Sequence, residues 1–309
     1  MLDFRPLAME DYEKYQNLTQ GIQYPLCEYC FADVFIWSKH CNVKACFAGD
    51  MFFARSEYEG HYSYTVPIGT GDLVWAIEQL RRDAVKKNMP FRMHAVCQES
   101  KEQLEQAFPG KFSWELDQDG CDYIYEAEKL ITLKGKKLQS KRNLVNRFQK
   151  EHEGQWTYRD IATPEDRQAV YQFHLQWCEE NQVCTHQYQG ETCAVYQALE
   201  NWDALHLEGG MLFLEDKMIA FTIGSHYRPD MYVMHFEKAD GSILGAYQMI
   251  NQQFAQWHFQ AVSYVNREED MGLEGLRKAK MSYHPLNLGE EYCGIWKEDE
   301  VWSESDRQA

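Results

Sequence analysis

Three consecutive β-rich runs, "GGMLFLED", "KMIAFTIGSHY" and "DMYVMHFEKAD" (209–240), lie between stretches of helical period and restrict the fold of this chain more than any other feature. Joined by Asp-Lys and Arg-Pro-Asp turns, they read as an antiparallel meander. Upstream, "WTYRDIA" alternates as a strand. Thr163 and Pro164 then supply a cap and a first-turn proline for the helical "EDRQAVYQFHLQWCEEN", and "ETCAVYQALENWDA" follows as a second helix. Downstream come the helix "ILGAYQMINQQFAQWHF", the strand "AVSYVN", the helix "GLEGLRKAKM" and β-like text through "EEYCGIWK". The order β-α-α-β-β-β-α-β-α-β-β predicts an α/β (α+β) unit built on a mixed sheet.

The first half repeats this plan less distinctly. "LDFRPL" is strand-like, "MEDYEKYQNLTQ" and "FADVFIWSKH" are helical, and "KACFAGDMFFARSE" and "YSYTVPIG" are strands around a turn. The long helix "GDLVWAIEQLRRDAVKKN" precedes a strand, a short helix and strands through "CDYIYEA". A chain of 309 residues has room for two such units.

Between them lies "LKGKKLQSKRNLVNRFQKE". From Lys134 to Lys150 it carries seven basic residues and no acidic one, in a chain of net charge −17. It reads as a joining helix with Leu138, Val145 and Phe148 on one side, giving expected boundaries of 1–133, 134–154 and 155–309. Its cations, Lys137, Lys141, Arg142 and Arg147, fit either a solvated linker or a face that meets a polyanion.

The acidic balance argues against adhesion to nucleic acid or anionic membrane except through such a local patch. No apolar run approaches the roughly 18–20 residues that span a bilayer, and the start "MLDFRPLAMEDYEKY" lacks a signal peptide's regions, so a cytoplasmic location is expected. Ten scattered cysteines read as reduced thiols. "CEYC", with Cys27 and Cys30 followed by His40, Cys41 and Cys46, sits in apolar helical text and favours core packing over zinc. His174, Cys178, Cys184 and His186 receive the same reading, and no metal is expected.

Alternation along "MYVMHFEKAD" places Tyr232, Met234 and Phe236 on one face, and Val233, His235 and Glu237 on the other. An imidazole and a carboxylate one pleat apart suit proton transfer, or equally a hydrogen-bonded pair. The turn after this strand carries Gly241, Gly245 and Tyr247 into a helix start of the kind that holds anions. Further on, Asn266, Arg267, Glu268 and Glu269 crowd a strand exit. Asp270 is expected to cap the next helix, and Glu274 to reach Arg277 and Lys278. Gly272, Gly275 and Ala279 fall on nearly one face, expected to lie against backbone or ligand.

The blocks "FEKAD…GAYQMINQQFA…YVNREEDMGLEGLRKAKMSYHP", "GKKLQSKRNLVNRF" and "YCFADVFIW" resemble soluble bacterial proteins related to the C-terminal catalytic domain of phosphatidylglycerol lysyltransferases. The resemblance covers nearly the whole chain. It implies two tandem acyltransferase domains of the GCN5-related N-acetyltransferase type, a fold that also serves transferases using aminoacyl-tRNA. The chain departs from the pattern in having no flippase region, and in carrying "SILGA" where acetyl-CoA users have Arg/Gln-x-x-Gly-x-Gly/Ala.

The resemblance implies transfer of an aminoacyl group from aminoacyl-tRNA to a small amine or hydroxyl acceptor. The alternatives are an acyl-CoA-dependent N-acetyltransferase and a non-catalytic ligand-binding protein. For acyl transfer, Glu237 or His235 is the candidate base, and Asn266 or a backbone amide the oxyanion donor. Glu269 or Asp270 would hold a donor's ammonium, Glu268 is a further substrate-binding candidate, and Arg267, Arg277 and Lys280 would hold a carboxylate or phosphate. The basic helix would meet tRNA. In the competing reading, "NREED…RKAK" is a salt-bridged network locking helix to sheet.

Overall fold

The computed structural model describes residues 2–58, 61–181 and 186–299, and they form two compact units. The first comprises residues 1–121 and 289–309, the second 122–288.

In the first unit, β1 (Arg5–Pro6), α1 (Tyr12–Thr19) and α2 (Phe31–Trp37) precede the antiparallel strands β2 (Lys44–Ala48), β3 (Met51–Tyr58) and β4 (His61–Tyr64). The short β5 (Ile68–Gly69) pairs with β3. Helix α3 (Leu73–Lys86), strand β6 (Arg92–Val96), helix α4 (Gln98–Ala107) and strand β7 (Phe112–Glu126) follow. Asp72 caps α3 by accepting from the Trp75 amide, and Ala76, Ile77, Leu80 and Ala84 form its buried stripe. They pack on Phe53, Phe91, Met93, Leu104, Phe112 and Trp296. Cys27 and Cys30 are buried just ahead of α2.

The second unit takes the end of β7 and adds α5 (Ala127–Thr132), α6 (Gln139–Glu151), β8 (Trp156–Asp160), α7 (Pro164–Glu180) and α8 (His186–Glu200). The expected meander is β9 (Glu208–Leu214), β10 (Lys217–Arg228) and β11 (Met231–Ala239). Then come α9 (Ala246–His258), β12 (Tyr264–Asn266), α10 (Glu274–Met281) and β13 (Asn287–Trp296), whose greater part belongs to the first unit. The sheet order in this unit is β7-β12-β11-β10-β9-β8, with β11 and β12 parallel and the other pairs antiparallel. Thr163 caps α7 in a capping box with Asp166, and Pro164 opens the helix.

The division of the chain differs from the sequence boundaries. Leu138, Val145 and Phe148 are buried together with Ile250 and Phe254 of α9, so the basic helix α6 lies within the second unit's core. A stripe apolar enough to be buried makes a helix part of a core, whatever its other face carries.

At the end of α9, His258 lies between Glu208 (3.1 Å) and Asp160 (3.2 Å). Burial opposes its charge, but the hydrogen bonds and charges of the two acids outweigh burial and raise its pKa above the usual 6.5. A raised folded pKa contributes stability that is fully present below the unfolded value and is lost as pH rises through the folded one. Urea unfolding of the wild-type protein across neutral pH is therefore expected to lose this contribution on the alkaline side. His258→Gln should remove that part of the pH dependence; an unchanged profile would show that the clamp carries no charge.

Candidate functional site at the parting of two strands

Strands β11 and β12 pair only from Met231–Tyr264 to Val233–Asn266. Beyond that point β11 runs on to Ala239 while β12 ends, and the chain turns through residues 267–272. The candidate residues collect where the strands part.

The turn is tied down by its own side chains. Asn266 donates to Asp122 (2.6 Å) and accepts from the Glu268 amide (2.7 Å). Lys280, buried at 7 % exposure, donates to the carbonyls of Arg267 (2.6 Å), Glu268 (3.0 Å) and Glu269. Asp270 accepts from the Tyr123 hydroxyl (2.6 Å), from Nε and Nη2 of Arg277 (2.8 Å each) and from the Gly272 amide (2.9 Å). Burial alone would raise the Asp270 pKa; these donors outweigh it and lower the value. Glu268 sits at φ +58, a conformation that costs about 1–2 kcal/mol for a non-glycine residue. The bonds to its amide and carbonyl hold it there.

Several expectations change accordingly. Asn266, Asp270, Arg277 and Lys280 are committed to the turn rather than turned toward a ligand. Asp270 does not cap α10, whose N-cap is Leu273. Glu274 reaches Lys278 (2.5 Å), but Arg277 turns back to Asp270. Gly272 takes φ +72 ahead of the helix, and a Cβ on Gly275 would meet only open space, so Gly275 does not press on neighbouring protein. Glu269 contributes its carbonyl to Lys280, and its carboxylate acts to raise the pKa of that ammonium against desolvation.

A second correction concerns the faces of β11. Opposite β10 the register slips: Ile223 faces Phe236 and Gly224 faces Met234, leaving His235 as an extra residue. Such a β-bulge resets the alternation, so side chains beyond it change sides. Glu237 accordingly turns toward α9, where Asn251 donates to it (2.8 Å), and Ala239 joins the core that holds Tyr232 and Met234. Lys238 points the other way, pairing with Glu191 of α8 (2.8 Å) over the Trp177 ring. His235 and Glu237 thus belong to different polar groups.

His235 joins Ser225 and Glu268. Its Nε2 is 2.9 Å from the Ser225 hydroxyl and its Nδ1 2.8 Å from the Glu268 carboxylate. Burial pushes the imidazole down to about 3, so it is neutral at ordinary pH. The order serine, histidine, carboxylate is that of a nucleophilic triad. Ser225, however, is only 2 % exposed, and the chain of bonds acts as a strut that fixes Glu268. Ser225→Ala is accordingly expected to cost about 1–2 kcal/mol of stability while leaving any transfer activity intact, a result to be read from urea unfolding alongside turnover. Loss of turnover with unchanged folding would make Ser225 a nucleophile.

Glu237 forms the other group. One carboxylate oxygen accepts from Arg267 Nη2 (2.9 Å), the other from Asn251 Nδ2. Glu237 and Arg267 are 12 % and 11 % exposed, and the guanidinium lies 5.0 Å from the centre of the Tyr283 ring and 5.7 Å from that of Tyr125. Two atoms here are buried without a hydrogen-bond partner among the described residues: Nη1 of Arg267 and Oδ1 of Asn251. Asn251 escaped the sequence reading, although it stands on the apolar stripe of α9 beside Ile250, Phe254 and Ala255, where a buried amide needs a reason.

The remaining candidates scatter. A Cβ on Gly241 would meet nothing, whereas one on Gly245, at φ +89, would lie 2.7 Å from the Leu144 carbonyl. The close approach that Gly245 permits is thus to α6. Tyr247 is half-buried beside Trp177 and the Ala239 carbonyl, and burial raises its pKa. Of the basic set, Arg142 donates to the Leu133 carbonyl (2.5 Å), Arg147 pairs with Glu151 (2.7 Å), and Lys137 is exposed. Lys141 turns inward, its ammonium 4.6 Å above the Tyr283 ring. His174 bonds Thr192 (3.1 Å), and burial lowers its pKa to about 4. Cys184 and the side chain of His186 lie outside the described residues.

The site is thus a mixed sheet in which β12 ends beside β11 at a carboxylate held by an arginine and an amide. The model of the family described as "Phosphatidylglycerol lysyltransferase, C-terminal" matches residues 20–294, and the chain belongs to that family. A conserved protein of unknown function from Bacteroides thetaiotaomicron superposes with a TM-score of 0.91 at 34% identity, covering 96% of this chain and 100% of that one. The structure of L-PGS from Bacillus licheniformis matches with a TM-score of 0.66 at 16% identity, over 92% of this chain and 91% of that one, which shows the shared fold. An uncharacterized protein of Mycoplasmoides gallisepticum is 28% identical over 177 residues, 55% of this chain and 54% of that protein. The chain thus spans about half the length of that relative. Among the described residues, no helix is long and apolar enough to cross a membrane.

Proposed function

We propose that this protein moves an aminoacyl group from aminoacyl-tRNA to an amine or hydroxyl acceptor, in the cytoplasm where that donor is made. The observation that carries this reading is Glu237, held by Arg267 and Asn251 where β11 and β12 part. The acceptor's amine or hydroxyl would sit between the Glu237 carboxylate and the unpartnered Oδ1 of Asn251, which accept its hydrogens. As the nucleophile attacks the ester carbonyl, its proton passes to Glu237. A backbone amide beside the ester carbonyl would donate to the developing oxyanion. The tetrahedral adduct then expels the tRNA hydroxyl, which takes back a proton.

Family membership and the family's description support acyl transfer; the choice of donor is the finer part of the reading. Bulk tRNA charged with labelled amino acids, mixed with small amines and alcohols, tests it. Label should move to an acceptor in the presence of the wild-type protein. If charged tRNA stays intact while an acyl-CoA is consumed with the same acceptors, the donor is CoA-borne. If neither is consumed, the protein is a binding module.

A further inference from the structure

Lys141 and Arg267 lie over one aromatic ring, 4.6 and 5.0 Å from the centre of Tyr283. They come from distant parts of the chain, the start of α6 and the turn after β12. The charged groups that act on Lys141 are Arg267 and Glu237; those that act on Arg267 are Glu237 and two tyrosines kept neutral by burial. Lys280, the next cation toward Arg267, is balanced by Glu269, Glu268 and Asp122. The group therefore holds two cations against one carboxylate. It also leaves Nη1 of Arg267 buried without an acceptor among the described residues.

A surplus positive charge beside an unfilled, desolvated guanidinium nitrogen is costly unless an anion completes it. One net charge calls for a monoanion, since a phosphate dianion would meet the nearby Glu237 with its second charge. Depth decides between the monoanions. The atom to be reached is buried, and a carboxylate presents two oxygens at the end of a single substituent, whereas a phosphodiester is flanked on both sides.

We infer that Lys141 and Arg267 seat the free carboxylate of the acceptor, which is therefore an amino acid or a peptide-like amine. Calling the ligand the acceptor rests on the function proposed above; the seat itself does not. With the carboxylate on Lys141 and Arg267, the amine of the same molecule falls to Glu237 and the unpartnered Oδ1 of Asn251. Each atom of the group that lacks a protein partner is then used. Lys141 thereby moves from the polyanion-binding set to the carboxylate seat.

The test compares glycine, glycinamide and glycerophosphoglycerol as ligands of the full chain, by calorimetric titration and by melting temperature. Glycine and glycinamide differ in the carboxylate alone, and glycerophosphoglycerol carries a lipid headgroup's phosphodiester. Glycine is expected to bind and to raise the melting temperature, and glycinamide to bind about 10–100-fold more weakly, the range for losing a charge-assisted hydrogen bond. Lys141→Met should abolish the difference between the two, and Lys141→Arg should retain it. The proposal is overturned if glycinamide matches glycine, if glycine's advantage survives in Lys141→Met, if only glycerophosphoglycerol binds, or if none of the three does. Because the readout is binding, a protein that seats glycine yet transfers nothing would refute the transfer reading and leave this one standing.

Discussion

Replacing Lys280 with methionine is expected to destabilise the protein by about 3–5 kcal/mol, the usual range for removing one partner from a buried charged network. Methionine fills much of the same volume, so packing is largely kept. What goes is the only side chain that donates, among the described residues, to the Arg267, Glu268 and Glu269 carbonyls together. Glu268 also loses a bond that holds it in the left-handed region. Lys280→Arg should not rescue it, since a planar fork cannot direct its donors at carbonyls clustered round one ammonium. Urea unfolding measures the effect; a loss below about 1 kcal/mol would show that water replaces the ammonium without cost.

Glu237→Gln is expected to lower kcat/KM for transfer by about a hundred- to ten-thousand-fold, the contribution of a positioned general base. The amide is nearly isosteric and still offers Arg267 an oxygen, so circular dichroism and the melting curve should stay close to wild type. Steady-state kinetics on the labelled-acceptor assay decides. Retained turnover would remove Glu237 from the chemistry and leave it as a counter-ion for Arg267.

What could be seen in the sequence and what could not divides along physical lines. Elements were legible because burial imposes period: the meander of β9 to β11, the capped start of α7 and the stripe of Leu138, Val145 and Phe148 all follow the expected text. The polar strand exit expected at residues 266–269 is present, where β12 ends after three paired residues and β11 runs on. The competing picture of a salt-bridged network was partly right as well, since Asp270, Arg277 and Lys280 do lock the turn. The face on which Glu237 lies was not legible, because alternation carries no mark of a surplus residue at His235. Nor was the inward turn of Lys141, which depends on Tyr283 more than a hundred positions away. Asn251 was legible in principle, as an amide on an apolar stripe. Ser225 likewise stands in an apolar strand facing inward.

The surplus residue in β11 has a consequence for how such proteins diversify. Gaining or losing a single codon within that strand is enough to carry every later side chain through the plane of the sheet, delivering a carboxylate to one layer or to the other. Ala239 would leave the layer that holds Tyr232 and Met234 in the same event, so packing on both faces must adjust. Because the surplus residue is His235 itself, losing it would also break the strut of Ser225, His235 and Glu268, so the side of the sheet on which the Glu237 carboxylate lies is tied to the bond that fixes the turn.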